Sequence, residues 1–84
     1  MASKIYSLER AVKIIQPVFP YLIYIQRDMF GNAEMQCINF SKLRTVLPPY
    51  EVYRLDDAIM MSDYNEIVSL ISDNRDMIQL SYEL

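Results

Sequence analysis

Four prolines, set in two close pairs, constrain this 84-residue chain more than any other feature. Proline holds φ near about −65°, offers no amide donor, and pushes the residue before it away from the helical region. Pro17 and Pro20 therefore close whatever element reaches Gln16, and Pro48-Pro49 sets off the remainder of the chain. The one glycine, Gly31, stands beside Asn32, where a turn needs a positive φ. No repeat, low-complexity run or linker interrupts the segments between these marks. A single domain over residues 1–84 is expected, because each further domain takes roughly 100–200 residues.

Within that punctuation, Ser7 is a candidate N-cap, and Leu8, Ala11, Val12 and Ile15 then share one helical face over residues 8–15. Tyr21 to Arg27 is dense in aromatic and β-branched residues and reads as a strand. Ala33 to Phe40 alternates, with Ala33, Met35 and Cys37 on the face expected inward. Residues 21–40 thus form a β-hairpin with a five-residue loop, Asp28 to Asn32. Ser41 to Leu47 fits a short helical turn capped by Ser41, with Leu43, Val46 and Leu47 inward.

Residues 51–61 fit two readings: Val52, Leu55 and Ile59 have helical spacing, while Glu51 to Leu55 also fits a short strand. The extended exit from Pro48-Pro49 favours the strand. Asp63 and Glu66 have capping-box spacing, and Tyr64, Ile67, Val68, Leu70 and Ile71 follow as a wide apolar stripe. This predicts a helix over 63–72. Met77 to Tyr82 alternates, with Ile78, Leu80 and Tyr82 on one face, and reads as a last strand. The expected fold class is α+β: a small single domain with a four-stranded, mainly antiparallel sheet containing the 21–40 hairpin, and two helices, about 8–15 and 63–72, packed on it.

Composition narrows the function classes. With 52% hydrophobic and 23% charged residues, the chain has enough apolar surface to fold rather than stay disordered. There is no histidine, which removes the commonest general base and zinc ligand. One cysteine allows no intrachain disulfide, and one glycine allows no phosphate-cradling loop. Cys37 has no local cation to lower its pKa and reads as an inert, inward thiol. Eleven acids could supply a catalytic pair, but no spacing selects one. Asp56-Asp57 with Asp63 and Glu66 could offer oxygens to a divalent cation, yet the stretch lacks an EF-hand pattern, and capping and solvation account for its acids. The expectation is a non-enzymatic protein with no catalytic residues, cofactor or metal. Met1 to Tyr6 lacks the basic-then-apolar order of a secretory signal, and the longest uncharged run, Ile14 to Gln26, is too short to span a bilayer. With a single thiol, this points to a soluble, cytoplasmic protein without membrane association.

The net charge of −3 conceals an asymmetry. Residues 1–50 carry six cations against three acids, and residues 51–84 carry two cations against eight acids. Four scattered cations, Arg10, Lys13, Lys42 and Arg44, make direct nucleic-acid binding unfavourable beside that acidic half. Seven tyrosines are the unexplained excess, and tyrosine suits interfaces through its large rigid area and polar tip. Three of them, Tyr50, Tyr53 and Tyr64, lie among Glu51, Asp56, Asp57, Asp63 and Glu66, with Met60-Met61 adding adaptable apolar surface. The reading is a small acidic protein-binding module acting through these ten residues. An adaptor, an inhibitor or an accessory factor of a virus or mobile element would have this size and plainness. Two alternatives stand beside it: an acidic decoy for the nucleic-acid groove of another protein, and a homo-oligomer formed through a strand edge or tyrosines.

Overall fold

The serine expected to start the first helix does so. The protein, described over residues 5–83 in a computed structural model, opens with α1 at Leu8–Ile15. The Ser7 Oγ accepts from the Arg10 amide at 3.2 Å, and the chain leaves the helix at Gln16, before Pro17. Pro20–Leu22 then makes a 3-10 turn rather than the start of a strand. The hairpin follows, with β1 at Ile23–Arg27 and β2 at Glu34–Ile38 paired antiparallel from Ile23 opposite Ile38 to Arg27 opposite Glu34. Its loop is held by Asp28, whose carboxylate accepts from the Phe30 and Asn32 amides, and Gly31 takes the positive φ, +72°, that the turn requires.

Beyond the hairpin the expected four-stranded sheet is absent: among the described residues the sheet has two strands, and five helices make up most of the rest. α2 spans Phe40–Val46, capped by Asn39 rather than Ser41, because the Asn39 Oδ1 accepts from the Lys42 amide at 3.0 Å. α3 spans Pro49–Met60, where a strand was expected. Pro-Pro does extend the backbone, but only at Pro48, the N-cap; Pro49 takes the first helical position, where a missing N–H costs nothing and its φ is already suitable. The helical spacing of Val52, Leu55 and Ile59 is the pattern that prevails. α4 spans Tyr64–Asp73 with Asp63 as N-cap, its carboxylate accepting from the Glu66 amide at 3.2 Å.

α5 spans Arg75–Glu83 and replaces the expected last strand. Ile78 is fully buried while Leu80 is 60% exposed, so the alternation of Ile78 and Leu80 does not correspond to one buried face. Arg, Met, Gln, Leu and Glu favour helix, and Ile78 is the one β-branched residue in the segment. The side chain of Tyr82, the third residue of that expected strand face, lies outside the described residues.

α4 is the centre of the packing. Its Ile67, Leu70 and Ile71 belong to one core with Ala11, Val12 and Ile15 of α1 and with Leu55 and Ala58 of α3. Leu43, Val46 and Leu47 bring α2 into the same core, inward as their spacing predicts. Phe19 is buried and meets Tyr21 edge-to-face at 5.9 Å, and the Tyr21 hydroxyl donates to the Ile78 carbonyl at 3.3 Å, tying the 3-10 turn to α5. The Tyr6 amide donates to Asn65 Oδ1 at 2.8 Å, which joins the segment before α1 to α4.

Candidate functional site

Helix α3 distributes its side chains in three directions. Leu55 and Ala58 point into the core, with Val52 and Ile59 half-buried against it. Glu51 and Arg54 turn towards α4. The remaining direction carries Tyr50, Tyr53, Asp57, Met60 and Met61, all exposed. At 100° per residue these five fall within an arc of about 100°. Their apolar members are 71% (Tyr50), 78% (Tyr53), 81% (Met60) and 76% (Met61) exposed. The sequence places them close together; the helix places them on one line.

The acids expected to share that surface have other partners. Arg54 gathers three carboxylates: Glu51 at 3.1 Å, Asp73 at 3.3 Å, and Glu66, which accepts from Nε. Glu51 also accepts from the Asn74 amide group at 2.9 Å, while the same group donates to the Leu70 carbonyl and closes α4. These contacts raise the Arg54 pKa above its ordinary value, the hydrogen bond to Glu66 contributing most. Asp56 is paired with Arg44 of α2 at 2.5 Å; its Oδ1 is shielded from water and forms no aligned hydrogen bond, so the contact is an ion pair in character. Asp63 caps α4, and Tyr64 is half-buried against the core. Of the ten residues singled out, Tyr50, Tyr53, Asp57, Met60 and Met61 are brought together, while Glu51, Asp56, Asp63, Tyr64 and Glu66 are used within the fold.

Neither arginine's role is legible in sequence. Arg54 stands three residues from Glu51, a signal that counts only once residues 49–60 are helical. Its contacts to Glu66 and Asp73 depend on the turn that brings α4 back along α3.

The hairpin holds a second exposed apolar surface. Its residues alternate as expected but face the other way: Gln36 and Ile38 lie on the side of α1 and the core, while Met35 and Cys37 lie opposite. Cys37 is half-exposed, with its thiol near Gln26 Oε1 and the Met35 carbonyl, rather than buried. Met29 and Phe30 at the tip are 91% and 78% exposed. A pair of strands that no second layer covers offers no interior for Met35 and Cys37 to enter.

Two of the concavities that adjoin α1 lie against other elements. The groove between α1 and α4, lined by Ile14, Val18, Phe19, Val68 and Arg75 among others, has a volume of about 150 Å³, below the roughly 300–1,000 Å³ of small-molecule sites. The cleft between α1 and β2 is wider, about 510 Å³. Its acids, Glu9 and Glu34, are each paired, with Lys13 at 3.3 Å and Arg27 at 3.1 Å. Among the described residues no group of three or more acids or cysteines is placed to hold a metal ion, and no helix is long and apolar enough to cross a membrane. Compared with protein-family models, characterised proteins and solved structures, the chain matches none of them.

Proposed function

We propose that this protein acts by binding another protein through the outer stripe of α3. The observation that carries the reading is the run of Tyr50, Tyr53, Met60 and Met61, four large side chains each more than two-thirds exposed on one helix face. Isolated exposed hydrophobics are ordinary, whereas a contiguous set lined up on a rigid element marks an interaction surface. Tyrosine and methionine suit it, the first supplying rigid area at small entropy cost and the second adapting to the opposing shape. Leu55 and Ala58 seat α3 in the core, and Arg54 and Arg44 add ion pairs to α4 and α2, so the stripe is presented on a packed helix.

The test is site-specific photocrosslinking. A photoreactive phenylalanine analogue replaces Tyr53, and in a control chain it replaces Ser69, which is exposed on α4. In extract of the native host, the expected result is a discrete protein adduct from position 53 and none from position 69. Equal labelling from both positions, or none from either, rejects the reading.

A further inference from the structure

We propose that the stripe of α3 receives a cationic amphipathic helix, one of whose lysines or arginines sits between Tyr53 and Asp57. The inference rests on the protein-binding reading above and adds the chemistry of the partner. Tyr50, Tyr53, Asp57 and Met60 follow one another at i, i+3, i+7 and i+10, the spacing of a narrow seam that matches a second helix. In such seams a single polar residue fixes register and partner, and Asp57 holds that position here.

The net charge of α3 and α4 as a pair, rather than of the stripe itself, selects the sign of the partner. α3, α4 and the turn between them carry Glu51, Asp56, Asp57, Asp63, Glu66 and Asp73 against Arg54 alone. Counting Arg44, which reaches across to Asp56, four negative charges remain uncompensated. An acidic segment would be repelled, and a neutral one would leave Asp57 without a counter-charge under cover.

Asp57 itself is poorly placed for stability. It lies in the last turn of α3, where the exposed carbonyls disfavour negative charge, and that turn holds no basic residue. Among the described residues it has no ion-pair partner. Tyr53 lies one helical turn before it, so a carboxylate and an aromatic ring flank the same point on the surface. An entering lysine or arginine would meet both, by charge with the first and by cation–π contact with the second. It would also neutralise the unfavourable acid at the helix end.

The test selects helical peptides on the full chain. A phage library fixes apolar residues at one seam and randomises the flanking positions. It is panned against the wild-type chain, Asp57→Lys, and the double variant Tyr53→Ala/Met60→Ala. Position 57 is exposed and lysine favours a helix C-terminus, so Asp57→Lys folds at least as well. The expected pool on wild type is enriched about fivefold in Lys and Arg over Asp and Glu, and Asp57→Lys reverses that bias. A pool without charge bias, or a bias unchanged by Asp57→Lys, overturns the cationic partner while leaving the stripe as a binding surface. Absence of enrichment, or equal binding to the double variant, removes the stripe itself and both proposals with it. Sedimentation of the chain alone covers the remaining occupant: a dimer that Tyr53→Ala dissolves would put a second copy in the groove and overturn the proposal.

Discussion

Ser62 is held at a φ of 52°, in the left-handed region, between α3 and α4. The position closes α3 in a Schellman arrangement: the Asp63 amide donates to the Ala58 carbonyl at 2.8 Å and the Ser62 amide to that of Ile59 at 3.1 Å. Any residue with a Cβ is strained there, and glycine is not. Ser62→Gly is therefore expected to stabilise the protein by about 0.5–1 kcal/mol, read as a higher urea midpoint at unchanged slope. A lower midpoint would mean that the turn relaxes in solution. Arg54 is the opposite case, a residue whose removal leaves others exposed to one another. Exposed ion pairs contribute little singly, but here three carboxylates share one cation. Arg54→Met is expected to cost about 1–2 kcal/mol, and adding Glu66→Gln to it should recover part of the loss, because one of the repelling charges is gone. If the single change shifts urea unfolding by only a few tenths of a kcal/mol, the cluster does not hold α3 to α4.

Among the elements, α5 discriminates best between the two ways of reading its residues. As a strand, Ile78 and Leu80 would share a buried face; in the helix Ile78 is fully buried and Leu80 is 60% exposed. Ile78→Ser is expected to destabilise by about 3 kcal/mol or more, whereas Leu80→Ser should stay within about 0.5 kcal/mol. Comparable losses at both positions, measured by thermal unfolding, would restore the strand. The elements legible in sequence are those whose signals are local. Ser7 and Pro17 bound α1, Gly31 marks the hairpin loop, and Asp63 caps the apolar stripe of α4. α3 and α5 were not legible, because their signals point both ways: Pro-Pro serves an extended chain and a helix start equally, and the alternation from Met77 to Tyr82 overlies helix-favouring residues. What decides between them is tertiary. α4 presents a surface that Leu55 and Ala58 of α3 cover, and α2 packs beside α5, while among the described residues no further strand is placed to extend the sheet. The candidate stripe shows the same division. Its residues were visible in the sequence, but their alignment, and the separation of Glu51, Asp56 and Glu66 from them, followed from the helix.

The whole molecule is spread rather than round. Its extents are 41 × 38 × 22 Å with a radius of gyration of 13.3 Å, against about 12 Å for a compact chain of this length. Its accessible surface is 6153 Å², where a compact 9.9 kDa monomer exposes about 5200 Å². Much apolar side chain stays outside the core, on α3 and on the hairpin. The sheet has its own geometry of incompleteness. The Leu22–Asn39 and Asp28–Ala33 backbone bonds mark the paired positions, so by the two-residue period the amides and carbonyls of Ile25 and Arg27, the Ile23 carbonyl, and the groups of Glu34, Gln36 and Ile38 point outward along both edges, while the Ile23 amide donates to the Pro20 carbonyl. Connectivity alone keeps the sheet at two strands: Pro20 introduces a 3-10 turn before β1, and Asn39 begins α2 directly after β2. Two short junctions therefore set the extent of the sheet. A few residues inserted at either one would leave an added strand free to pair along an open edge, widening the sheet of this α+β domain while α4 and its neighbours stay in place.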